Sequence, residues 1–144
     1  HTRLEGFKLS LQEQGIRLEN SMVVVGNLTQ KDGYEQAESL LKRPNPPTAI
    51  VACNDLMALG ANSAAQKRGL NVGKDIAIIG FDDIPQAELN NPSLTTLHQP
   101  IYKIGSMVCE MLIGCLKGEH LEEQSIILKP TLVVRDSCGG LSAT

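Results

Sequence analysis

Two stretches of this chain, TAIVAC at residues 48–53 and DIAIIGF at 75–81, are nearly unbroken apolar runs, and each ends on a polar pair, Asn54-Asp55 and Asp82-Asp83. A strand with one wet face alternates apolar and polar side chains. A continuous run predicts a strand covered on both faces, as in a parallel sheet flanked by helices. Parallel neighbours need a crossover, and NDLMALGANSAAQKRG between them is long enough to supply it as a helix, with Asp55 as a plausible cap and Gly69 as its stop.

The remaining segments continue the alternation. TRLEGFKLSLQEQ (2–14) places Leu4, Phe7 and Leu11 on one helical face, and Gly15 follows as a stop. MVVVG (22–26) predicts a short strand. TQKDGYEQAESLLKR (29–43) returns to helical spacing, with Thr29 or Asp32 as N-cap, until PNPP at 44–47 breaks it. IPQAELNN predicts a short helix or turn and SLTTLHQ an extended run. Residues 101–117 form the strongest helical pattern, with Ile101, Ile104, Val108, Met111, Leu112 and Cys115 on one face before Gly118. SIILKPTLVVR suits an edge strand interrupted by Pro130, and CGGLSAT a frayed tail. The fold class expected is therefore α/β, with a mostly parallel sheet flanked by helices.

With 144 residues the chain fits one domain with a real core. Its net charge of −3 argues against this piece gripping a phosphate backbone by itself. Cys53, Cys109, Cys115 and Cys138 form no CxxC pair and are expected to be buried free thiols, as in a cytosolic protein. No stretch approaches the ~18 apolar residues of a membrane span, and no signal peptide is visible. The chain opens on His1 inside a helical pattern, which predicts a native N-terminus further upstream.

Ligands of open parallel sheets bind beyond the carboxyl ends of the strands. The polar side chains expected there are Asn54 and Asp55, Asp82 and Asp83, and Gln99. Amides and carboxylates together suit a small ligand rich in hydroxyl or N–H groups. Asn54 and Asp82 are assigned to ligand contact, Asp55 and Asp83 to capping or turn geometry. Enzyme readings find little support. A Mg²⁺ site would want a third acid with a basic partner, for which Asp55 with Lys74 or Lys103 is only a loose offer. GxSxG, P-loop and GxGxxG motifs are missing, and no metal or cofactor is called for. His98 falls in the suspected rim but is expected to be structural.

Five segments in register, RLEGF, PPTAIVACNDLMALGA, GLNVGKDIAIIGFDD, PSLTTLHQP with IG following, and LVVRDS, resemble the effector-binding domain of the lactose-repressor and galactose-repressor (LacI/GalR) family of bacterial transcription regulators. The resemblance runs from about residue 2 to 138. It implies a lobe like those of periplasmic sugar-binding proteins, here truncated: the helix-turn-helix DNA-binding domain, most of an N-terminal lobe and the first strand of the C-terminal lobe are expected to be absent. It further implies that 1–99 and 119–138 form the C-terminal lobe and 100–118 a crossover helix of the N-terminal lobe.

Carried over by motif, Arg3, Asn54 and Asp82 are similar to the family's effector contacts. Gln99 is similar to a rim residue near the lobe crossover, and Leu28 falls where some members carry an aromatic ring. The implied function is a cytoplasmic, dimeric effector-sensing domain, not an enzyme. It would take a sugar or related polar metabolite and touch DNA only through the missing domain, with no membrane partner. A periplasmic or extracellular sugar receptor on the same fold is the alternative. The apolar stripe of 101–117 would lack its native seat and is expected to be exchanged between chains or buried in a dimer contact.

Overall fold

The computed structural model of the chain describes residues 2–118 and 125–140. His1, His120 and the last four residues of the expected tail lie outside the described residues. Among the described residues, five α-helices and four strands follow in the order α1 Thr2–Glu13, α2 Gln30–Leu41, β1 Ala49–Val51, α3 Asp55–Lys67, β2 Ala77–Ile79, α4 Pro85–Leu89, β3 Thr96–His98, α5 Ile101–Leu116 and β4 Thr131–Val133, with single 3₁₀ turns at Asn20–Met22 and Asp136–Cys138.

Each strand is shorter than its apolar run, and apart from the strand expected at 22–26 the order is the expected one. β1 and β2 pair in parallel with Ala49 opposite Ala77 and Val51 opposite Ile79. β3 joins β2 through parallel bridges at Ile79–Thr95 and Asp82–His98. β4 runs antiparallel to β3, Thr96 facing Val133. The sheet is thus mostly parallel with an antiparallel edge, and Pro130 stands just ahead of β4, where its missing donor breaks no ladder bond.

The core forms where α2 and α3 lie together over β2. Ile76, Ile78 and Leu94 are buried against Ala58, Leu59, Ala61, Ala64 and Ala65 of α3 and against Ala37 and Leu41 of α2. Small residues let the two helices approach closely: a Cβ on Gly33 would collide with the Met57 carbonyl, and one on Gly60 with the carbonyl of Gln30. α2 starts on Thr29, whose side chain accepts from the Asp32 amide. The Asp32 carboxylate in turn accepts from the Asn27 amide at 3.1 Å and the Thr29 hydroxyl at 2.7 Å, and that last bond leads the causes that lower its pKa.

Several expectations give way. Residues 23–27 make no strand, because no neighbouring strand bonds to them among the described residues, and Val25 is 84% exposed. β1 is likewise covered on one side only, Val51 being 48% exposed. The cysteines are free but not buried: Cys53, Cys109 and Cys115 are exposed and Cys138 half-buried. Two of them lie on α5, whose buried residues comprise Gly114 alone while Ile101, Ile104, Val108, Leu112 and Leu116 are exposed. The start of the expected tail is not frayed. Ser137 is buried, its hydroxyl donating to the Ile78 carbonyl at 2.6 Å and accepting from the Thr95 amide at 2.8 Å, so the 3₁₀ turn is tied across β2 and β3.

Candidate functional site at the strand ends

Asn54 follows β1 and is itself the N-cap of α3, its Oδ1 accepting from the Met57 amide at 2.9 Å. The expected cap, Asp55, is instead the first helical residue, because extended backbone at residue 54 (φ −150°, ψ 168°) lets that side chain fold back over the first turn. The Asn54 amide nitrogen donates to the Leu28 carbonyl at 3.0 Å. Leu28 sits at φ 65°, a left-handed conformation uncommon for a branched side chain, and is exposed.

Beyond β2 the backbone carries two successive outliers, Asp82 at φ 124° and Asp83 at φ 61°. Their side chains part company. Asp82 Oδ1 accepts from Gln99 Nε2 at 2.6 Å, which links the ends of β2 and β3. Asp83 Oδ1 accepts from Arg135 Nη2 at 2.8 Å, and its Oδ2 lies 2.9 Å from His98 Nδ1. Burial pushes the Asp83 carboxyl upward, but the hydrogen bonds and charges of Arg135 and His98 outweigh it and leave the pKa below its ordinary value. Asp83 is thus a structural group, but an ion-pair anchor and not a helix cap. His98 belongs to the same cluster.

Arg3 reaches the rim from α1. Its Nη1 donates to the Cys53 carbonyl at 2.6 Å, and its guanidinium lies 3.7 Å from the centre of the Phe81 ring. One continuous line of contacts follows across the carboxyl ends of β1, β2 and β3. Leu28 is bonded to Asn54, Cys53 to Arg3, Arg3 covers Phe81, and Asp82 is bonded to Gln99. All five candidate residues lie on that line. The line combines a guanidinium, a carboxylate and two amides, a set able to donate to and accept from a polar ligand. Among the described residues no group of three or more His, Cys, Asp or Glu side chains is arranged to hold a metal ion.

Three participants carry no signal at the level of strand-end spacing. Phe81 looked like the last apolar residue of a strand, Arg135 is 52 positions from Asp83, and Thr96, buried in β3, donates to Asp55 at 2.6 Å. The Arg-Asp-Ser of LVVRDS was the one usable pointer to Arg135.

Residues 1–138 match the family described as the periplasmic binding protein-like domain. The chain is 37% identical over 141 residues to the HTH-type transcriptional repressor CytR of Escherichia coli (strain K12), covering 98% of this chain and 41% of that protein. Among solved structures it resembles a regulatory protein of the LacI family from Chloroflexus aggregans, with a TM-score of 0.88 and 37% identity over 94% of this chain and 49% of that one. It is also similar to a LacI family transcriptional regulator from Arthrobacter sp. FB24 in complex with lactose, with a TM-score of 0.79, 34% identity, and 90% and 47% of the two chains covered. The chain therefore spans less than half the length of the relatives it matches.

Proposed function

This chain belongs to the periplasmic binding protein-like domain family, in the form carried by LacI-type regulators, and we propose that it is the effector-sensing part of a bacterial transcription regulator. The observation that carries the proposal is the convergence of Arg3, Asn54, Asp82 and Gln99 on one rim in a chain 37% identical to a transcriptional repressor. In this reading Asp82 accepts from donors on a sugar or related polar metabolite, Arg3 and the amides orient it, and Leu28 closes one side. A relative complexed with lactose supports that ligand class. Ligand binding then shifts a two-state dimer between DNA-competent and incompetent forms, a coupling of typically ~1–3 kcal/mol.

The proposal extends to organisation. Residues 1–99 and 119–138 act as one lobe and 100–118 as the crossover helix of a second lobe, which supplies the other wall of the pocket. The bare apolar side chains of α5 support this division. DNA is contacted by a helix-turn-helix domain elsewhere in the protein, the site of action is the cytoplasm, and the domain is not an enzyme. No helix among the described residues is long and apolar enough to cross a membrane.

The test is a thermal-shift screen of the full-length protein against sugars, nucleosides and sugar acids, repeated with Asp82→Ala. The substitution is expected to abolish the response to the hit while lowering the unliganded melting temperature by no more than the loss of the Gln99 bond and the strained backbone at residue 82 account for. Unaltered affinity in the variant would refute the assignment of Asp82.

A further inference from the structure

Asp55 is fully buried, and among the described residues no cation forms an ion pair with it. A carboxylate in such a place is costly unless hydrogen bonds and a local dipole compensate. Its place in the first turn of α3 supplies the dipole, and two hydrogen bonds donated to the carboxylate supply the rest, beside one more made by the residue's backbone. The Asp55 amide donates to the Phe81 carbonyl at 2.8 Å, Oδ2 accepts from the Ile84 amide at 2.9 Å, and Oδ1 accepts from the Thr96 hydroxyl at 2.6 Å.

The first two bonds return both ends of the segment Phe81–Ile84 to one residue. Inside that segment lie the two consecutive positive-φ aspartates, a conformation that persists only where its surroundings over-determine it. The third bond reaches β3 three residues ahead of Gln99, the partner of Asp82. The fit also dictates the preceding residue, since a Cβ on Gly80 would collide with Asp55 Oδ1.

We propose that Asp55 is a positioning residue for the rim: it clamps Phe81–Ile84 in the conformation that presents the Asp82 carboxylate beside Gln99, without itself touching the effector. Its functional meaning rests on the rim being the effector site. The clamp is a matter of backbone geometry and is measurable without any ligand.

The experiment is amide hydrogen–deuterium exchange of the unliganded full-length protein, read by mass spectrometry, for the parent and for Asp55→Ala, Asp55→Ser and Asp55→Asn. Serine keeps a polar atom at the start of α3 but cannot span to both Ile84 and Thr96. Asparagine keeps an oxygen for the Ile84 amide and turns its nitrogen to the Thr96 hydroxyl. The expected result is exchange about tenfold faster across 81–84 in the alanine and serine variants, with α2 peptides unchanged, and rates within roughly twofold of the parent in the asparagine variant. If the alanine variant does not fold, the serine and asparagine pair carries the comparison. Unchanged exchange at 81–84 in the serine variant would overturn the proposal. So would acceleration that extends equally through α2, or an asparagine variant that fails to fold or matches the serine one. Because no ligand enters the measurement, this outcome and that of the Asp82→Ala screen stand or fall separately.

Discussion

Asp82 and Asp83 are adjacent in sequence, yet one faces the amide of Gln99 and the other a guanidinium and an imidazole. The difference makes a pH prediction possible. The folded-state pKa of Asp83 lies below its ordinary value. Its contribution to stability is therefore fully present above the ordinary carboxylate value and is lost as pH falls through the lower folded one. Asp83→Asn should lower the melting temperature at neutral pH, and the gap to the parent should close below about pH 4; a gap constant down to pH 3 would remove the ion pair from the account. Asn54 makes a second test at this scale. Asn54→Ala removes the α3 cap and should cost about 1 kcal/mol by urea denaturation, whereas Asn54→Asp keeps the cap oxygen and should recover most of it.

At the scale of elements, the seam between α2 and α3 depends on backbone contact that only glycine permits. Gly33→Ala should destabilise the chain by ~1–3 kcal/mol, the usual cost of overpacking, despite alanine's better helix propensity. A denaturation midpoint equal to or above the parent's would show that the seam can relax. These helices, β1 and β2 were legible because each carries its own period and its own stop, such as PNPP after α2 or Gly69 after α3. MVVVG has strand composition but bonds to no neighbouring strand among the described residues, and pairing is not a property of one segment. The turn Asp136–Cys138 shows the reverse: the tail expected to fray begins inside it at Cys138, and the turn is held by bonds from Ser137 to residues 42 and 59 positions away.

For the whole molecule, the decisive feature is α5, an apolar helix with Ile101, Ile104, Val108 and Leu112 exposed. Each such side chain is worth ~1.5–3 kcal/mol if covered. The 144-residue chain alone should therefore self-associate, and Val108→Glu combined with Leu112→Glu should shift light-scattering mass toward the monomer. A monomeric parent at high concentration would sink the idea.

The sequence by itself determined the α/β class, the order of helices and strands apart from the strand expected at MVVVG, and which strand ends deliver Asn54, Asp82 and Gln99, because these follow from local periodicity and from stops within a few residues. Arg3 and Leu28 came only through the family resemblance. What only the tertiary structure decided is how those groups are held. Asn54 caps where Asp55 was expected, Arg135 claims Asp83 from the far end of the chain, and Asp55 disappears beneath the rim it steadies. Each depends on which distant atoms a donor or acceptor meets once the chain is packed, and hydrogen-bond partners at long sequence separation leave no trace in local spacing.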